Sequence, residues 1–145
     1  MKGLTPIVKK VAQLMSGIIF IYGIYIVVHG HLTPGGAFAG GILLAGAFIL
    51  LILAFGSEII SLRKEETGSS LSESVAILLT LIMAVLGLFF GSKVFFNNYL
   101  PAGNLGDLFS AGAIPIYNSL IGIEVAAAIV TIFLALIIFK EEEEQ

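Results

Sequence analysis

An all-α integral membrane protein of four transmembrane helices is the fold class this sequence predicts, and three observations predict it. The mean hydropathy is +1.07, with 58% hydrophobic and 12% charged residues in a chain of 145, a balance that a water-facing globule does not sustain. The apolar residues gather into four blocks, 11–28, 38–55, 75–96 and about 117–139. Each is near the ~20 residues that a helix needs to cross ~30 Å of hydrocarbon. Of all the charged residues, only Lys93 and Glu124 fall inside these blocks. The four make one domain, 1–145, whose main solvent is the lipid bilayer.

Inside lipid each block must be helical, because only a helix satisfies its own backbone there. The first follows the basic start that holds Lys2, Lys9 and Lys10. It is too long for a signal peptide and lacks a small-residue cleavage pattern, so it is read as the first membrane anchor. A short segment rich in Gly and Pro, 29–37, leads to the second. The third comes after a charged connector, 56–74, with Glu58, Arg63, Lys64, Glu65, Glu66 and Glu73, a mixed pattern typical of a hydrated loop. The fourth follows 97–115, which mixes Pro, Gly and Asn. It ends in the acidic run 141–144, whose charges oppose the negative end of the helix dipole, so fraying near Lys140 is expected.

Lysine and arginine set orientation, since loops rich in them stay on the cytoplasmic side. Lys2, Lys9, Lys10, Arg63, Lys64 and Lys140 fall on one side and Lys93 alone toward the other. Both termini are therefore expected in the cytoplasm, and an even number of spans requires that they share a side. The spacings Gly36 to Gly40 and Gly87 to Gly91 would allow close helix packing, where lipid supplies no hydrophobic drive of its own.

Function classes narrow by exclusion. Without cysteine the chain has no disulfide, thiolate metal site, iron–sulfur ligand or cysteine nucleophile. No phosphate loop, dinucleotide glycine pattern, His-Glu-x-x-His helix or serine elbow is present. No catalytic residue, no metal site, no cofactor held by this chain and no nucleic-acid partner are expected. The net charge of -3 comes largely from the solvated acidic tail.

The most distinctive stretch runs His29, Gly30, His31, Leu32, Thr33, Pro34, Gly35, Gly36, Ala37, Phe38, Ala39, Gly40, Gly41. Pro34 fixes its own φ and discourages helix at Thr33, while Gly35 and Gly36 open backbone conformations closed to other residues. A tight turn follows, and Gly40 and Gly41 then leave the next helix without side-chain bulk where a neighbour can approach.

This run, HGHLTPGGAFAGG, resembles the signature of the MnhB or MrpB component of the multisubunit Na⁺/H⁺ antiporters called Mrp or Mnh, a family of four-span membrane proteins. Similar components occur in archaeal membrane-bound hydrogenase and sulfur-reductase complexes, which resemble an Mrp module joined to a redox arm. The resemblance implies that His31, Pro34, Gly35, Gly36, Phe38, Gly40 and Gly41 form a loop whose shape serves assembly or the ion route. The family pattern is closer to SPGGGFQGG. Here Ala37 replaces a glycine and Ala39 a glutamine, which removes a polar side chain from any ion role at that position.

Ionisable residues within a bilayer cost about 2.5–3.5 kcal/mol on insertion scales and mark functional positions by default. Glu124 and Lys93 are therefore ion-path candidates, expected in the outer half. Glu124 is either a stepping stone for Na⁺ or H⁺ or the structural partner of Lys93, which can also snorkel to the helix end. His29 and His31 are candidates for proton relay near neutral pH or for interfacial hydrogen bonding. The leading expectation is a non-catalytic plasma-membrane subunit of an Mrp-type module, needing other membrane subunits to complete a path for Na⁺ and H⁺. A self-contained homo-oligomeric channel or carrier lined by Glu124 and Lys93, and a purely structural scaffold, are the alternatives.

Overall fold

A computed structural model of the chain describes residues 4–56, 62–90, 94–104, 106–108 and 110–143. These form four helices: α1 (Pro6–Val28), α2 (Gly36–Phe55), α3 (Leu62–Phe90) and α4 (Ile114–Glu143). All four are long and apolar enough to cross a membrane. Pro6 opens α1, where its missing N–H would have had no helical acceptor. Gly56, with φ 74°, caps α2 by donating its N–H to the Ile52 carbonyl.

The helices form a row, not a square. α1 packs on α2, α2 on α4, and α4 on α3, with a smaller contact between α1 and α4, and among the described residues the α3 backbone packs on neither α1 nor α2. α4 is thus the interior member although it is last in sequence. A small core of Ile52, Leu134 and Ile137 joins α2 to α4. Large apolar side chains elsewhere, such as Ile7, Ile21, Phe89 and Leu136, face outward, the arrangement expected when lipid is the solvent.

α3 departs most from the sequence expectation. It begins at Leu62 instead of 75 and ends at Phe90 instead of 96, so residues 62–74 of the expected hydrated connector are helix. Ser and Gly are weak helix formers, and a polar run reads as loop. Packing along α4 overrides that preference: Ser69 Oγ lies 2.7 Å from Thr131 Oγ1. One hydroxyl donates to the other, and the accepting one gives its own proton to a carbonyl of its helix, Glu66 O for Ser69 or Ala127 O for Thr131.

At the other end, apolar residues 94–96 turn back instead of extending the helix. Phe96, with φ 61°, donates its N–H to Ala84 O, and the Tyr99 hydroxyl donates to Met83 Sδ. Asn98 then ties the connector to the start of α4, its Oδ1 accepting the Ala113 N–H and its Nδ2 donating to Ala111 O. Gly87 packs against this returning loop at Asn97, not against another helix, and Gly91 lies outside the described residues. α4 is helical as far as Glu143.

The Ser69–Thr131 bond predicts a measurable but small coupling. A double-mutant cycle with Ser69→Ala and Thr131→Val, read by unfolding in detergent, is expected to give about 0.6 kcal/mol, typical of hydrogen bonds between membrane helices. A coupling indistinguishable from zero would mean that these hydroxyls serve only their own helices.

Candidate functional site

The α1–α2 turn folds as its glycines demand. The N–H groups of Leu32 and Thr33 both donate to His29 O, and the Thr33 hydroxyl donates to the same carbonyl. Gly35 takes φ 126° and Gly36 φ 67°, conformations that a Cβ opposes. A Cβ on Gly36 would meet nothing within 4 Å. Gly36 therefore shapes the backbone, and the expected close approach through a Gly36–Gly40 pair is corrected: Gly40 and its neighbour Gly41 make it instead.

Those two adjacent glycines face different helices. A Cβ on Gly40 would lie 2.9 Å from Val27 N and 3.0 Å from Gly23 O on α1. One on Gly41 would lie 2.8 Å from both Gly122 O and Val125 Cβ on α4. Gly122 in turn receives the Val27 side chain, its own Cβ position being 2.7 Å from Val27 Cγ2. Three helices cross within one turn of each other here, at a contact that only side chains of near-zero size allow. Gly122 and Val27 were not singled out from sequence. An isolated glycine in an apolar helix is too common to stand out.

The turn also rests on the start of α4. A Cβ on Gly30 would come 2.9 Å from Asn118 Nδ2. Close to this junction four side-chain atoms are buried without a hydrogen-bond partner among the described residues: His31 Nδ1, His31 Nε2, Tyr117 Oη and Asn118 Nδ2. A buried polar atom left unpaired costs about 1–3 kcal/mol, so such a group calls for an explanation.

The two histidines thus differ. His29 stacks on Tyr25, with ring centroids 4.2 Å apart, and its Nδ1 lies 3.0 Å from Tyr25 O. A carbonyl only accepts, so Nδ1 carries the proton and donates, which makes His29 part of the helix end. His31 has neither ring nitrogen engaged among the described residues. Phe38 is exposed at the start of α2, where it is open to a neighbour.

Glu124 is half-buried on α4, and among the described residues its carboxylate has no hydrogen bond or ion pair. Lys93, the expected partner, lies outside the described residues. Heptad spacing puts Glu124 on one stripe with Tyr117 and Thr131. Tyr117 meets Phe96 at a centroid distance of 5.3 Å, and Thr131 meets Ser69, so the stripe looks toward the α3–α4 seam, away from the glycine crossing. The geometry places Glu124 in one region of the molecule and the 29–41 turn in another, joined through α4.

With the geometry in place, comparison with known proteins is decisive. Residues 7–131 match the model of a domain related to the MnhB subunit of Na⁺/H⁺ antiporters. The chain belongs to the MnhB family. It is 32% identical over 141 residues to a putative antiporter subunit mnhB2 of Staphylococcus aureus, covering 94% of this chain and 96% of that one. An uncharacterized protein of Methanocaldococcus jannaschii is 37% identical over 134 residues, covering 88% of this chain. A chain of the membrane-bound sulfane sulfur reductase, an archaeal respiratory membrane complex, superposes with a TM-score of 0.73 at 36% identity, over 89% of this chain. This MnhB-type chain spans only 50% of the M. jannaschii protein and 56% of the reductase chain. The resemblance read from the 29–41 motif is thereby shown, and so is a multi-pass membrane protein.

Sequence reasoning missed the polar half of α3. Its signal was present: Glu66, Ser69, Ser70 and Glu73 recur at helical three- and four-residue spacing, and residues 62–74 contain no proline.

Proposed function

We propose that this MnhB-type chain is a non-catalytic membrane subunit of an Mrp-type Na⁺/H⁺ antiporter module, and that it supports assembly while bordering part of the cation path. One observation carries this reading beyond family membership. Glu124 sits within the span of α4, half-buried on the α3-facing stripe, with no protein partner among the described residues. A carboxylate at that depth is costly unless an ion, a proton or another subunit meets it.

The row of helices supports a lining role. A row presents a wall, and a wall needs a facing surface before it encloses a route for ions. In this reading Lys9, Lys10 and Lys140 mark the cytoplasmic face, which puts both termini in the cytoplasm and the 29–41 turn at the outer edge. His31, Tyr117 and Asn118 then lie near the outer edge, where their buried, unpaired polar atoms suit contact with another subunit. His29, held by Tyr25, is a positioning residue for the turn. The likeness to the sulfur reductase chain fits a redox-driven complex as well as a stand-alone antiporter.

The test is reconstitution. Purified alone into vesicles, the chain is expected to give no Na⁺ or H⁺ flux. Recovered in mild detergent from its native membrane, it is expected to bring other membrane subunits with it. Ion flux from the isolated chain would instead establish the self-contained channel or carrier, and the subunit reading would be abandoned.

A further inference from the structure

Depth along the bundle can be read from three lysines. Lys9 Nζ sits over the Phe55 ring, 5.6 Å from its centroid, at the end of α2, with Lys10 beside it, and Lys140 closes the apolar part of α4. From this level α2 runs through 20 residues without a polar side chain, so α2 marks out the hydrocarbon slab. Ser69 contacts Thr131, and Thr131 is nine residues, about 13 Å, inward from Lys140. α3 and α4 run in opposite directions, so Glu73, one turn further along α3, is level with Ala127. That is about 19 Å from the lysine level in a core ~30 Å thick.

A second observation agrees on depth. Glu65, Ser69 and Ser72 share a cleft of about 460 Å³ with Leu44 and Phe48, which are mid-helix residues of α2. Residues 65–74 of α3, EETGSSLSES, therefore lie beside the apolar middle of their neighbours and not in water. Three carboxylates fall in this stretch, whereas α1 beyond Lys10, all of α2, residues 65–90 of α3 and α4 before Lys140 hold no lysine or arginine.

The two flanks of α3 differ. The cleft toward α1 and α2 carries Glu65, Ser69 and Ser72 on its α3 side but is otherwise walled by Phe20, Ile24, Leu44, Phe48 and Ile123, a mainly apolar lining. The opposite groove, about 480 Å³, is lined by Glu66, Thr67, Ser70, Leu71, Ser74 and Thr131, and of these Thr67, Ser70, Leu71 and Ser74 are exposed. Three of its side chains, Glu66, Ser74 and Thr131, are placed to accept. Ser74 donates its proton to Ser70 O, Thr131 to Ala127 O, and the Glu66 carboxyl oxygens are acceptors. Lipid tails offer no donor to such a face.

We propose that this groove, the edge of α3 bearing Ser70 and Ser74 beside Glu66, seats a transmembrane helix of a neighbouring subunit that presents a lysine or arginine at that depth. A cation is the complement of a surface that sets a carboxyl beside hydroxyls left to accept, in a medium of low dielectric. The inference rests on the subunit reading above and adds which face docks and what chemistry meets it.

Photo-crosslinking in the intact complex tests it. A benzoylphenylalanine is placed at position 70, 74 or 75. Val75 is at nearly the same depth but about 100° round the helix from Ser74, and it is also exposed. Labels at 70 and 74 are expected to form adducts with one and the same neighbouring subunit, and the label at 75 with lipid. Because the chain has no cysteine of its own, Ser70→Cys joined through a short thiol-to-amine reagent reads the same contact with a smaller change. It is expected to capture a lysine of that subunit or, if arginine is the cation, to yield the adduct only in a thiol-to-guanidine version.

Lipid adducts alone from 70 and 74 would overturn the proposal, as would adducts to a second copy of this chain. Labelling of Ser70→Cys by a water-soluble thiol reagent in the assembled complex would overturn it too, since the groove would then be an aqueous route. Recovery of the assembled complex before irradiation tests the subunit reading separately, so the two failures are distinguishable.

Discussion

Gly41→Leu is expected to be among the most damaging single substitutions in the chain. The new side chain would meet the Gly122 carbonyl and Val125 Cβ, each 2.8 Å from where its first carbon must sit. Because one obstacle is backbone, relief requires α2 and α4 to separate, and Gly40 cannot follow without losing its contact with α1. Overpacking of this kind costs about 1–3 kcal/mol, and more where nothing can move. The thermal midpoint of the purified protein and its recovery in the complex should both fall. Gly46→Leu is the control, since a Cβ at Gly46 meets nothing within 4 Å. A Gly41→Leu protein as stable as Gly46→Leu would show that the three helices do not cross as described.

The second large effect is expected at Glu124. In the assembled complex Glu124→Gln should leave subunit composition unchanged and lower Na⁺ transport by roughly tenfold, equivalent to ~1.4 kcal/mol of lost interaction with the moving ion. Glutamine keeps the size and the hydrogen-bonding carbonyl and removes only the charge and the exchangeable acid proton. Glu124→Asp, which retains the charge on a shorter arm, should fall between the two. Full transport by an intact Glu124→Gln complex would assign the residue to scaffolding, and loss of assembly would assign it to a subunit contact.

Much of the candidate site was legible before any coordinates. Four spans follow from block length and the absence of charge within blocks, because lipid enforces helix on any chain that crosses it. The 29–41 motif was conspicuous because Pro34, Gly35 and Gly36 carry strong backbone constraints, and positive φ at both glycines is the conformation those residue types exist to supply. Glu124 stood out as a lone acid in an apolar run. The division of labour within the motif was not legible. Gly36 and Gly40 look equivalent in a sequence, yet one bends the chain and the other receives α1. Which occurs depends on what lies opposite, and that is set by residues such as Gly23, Val27 and Gly122 far away in the chain.

α3 shows the same limit from the other side. Residues 62–74 are polar and rich in serine, and local preference alone gives a hydrated connector. A partner along their length changes the outcome: α4 offers Thr131 to Ser69, and helix there satisfies the backbone that a loop at that depth would leave bare.

By itself the sequence determined that this MnhB-type chain is a multi-pass membrane protein, that it has four segments long and apolar enough to cross a bilayer, and that it carries the family's glycine turn, since hydropathy, length and backbone constraint are local properties. Only the tertiary structure decided that α4 lies inside a row of helices, that Gly40 and Gly41 serve different neighbours, and that the polar stretch 62–74 is helix packed along α4. Each of these depends on which surfaces meet, and pairing between distant segments is a property of the packed chain.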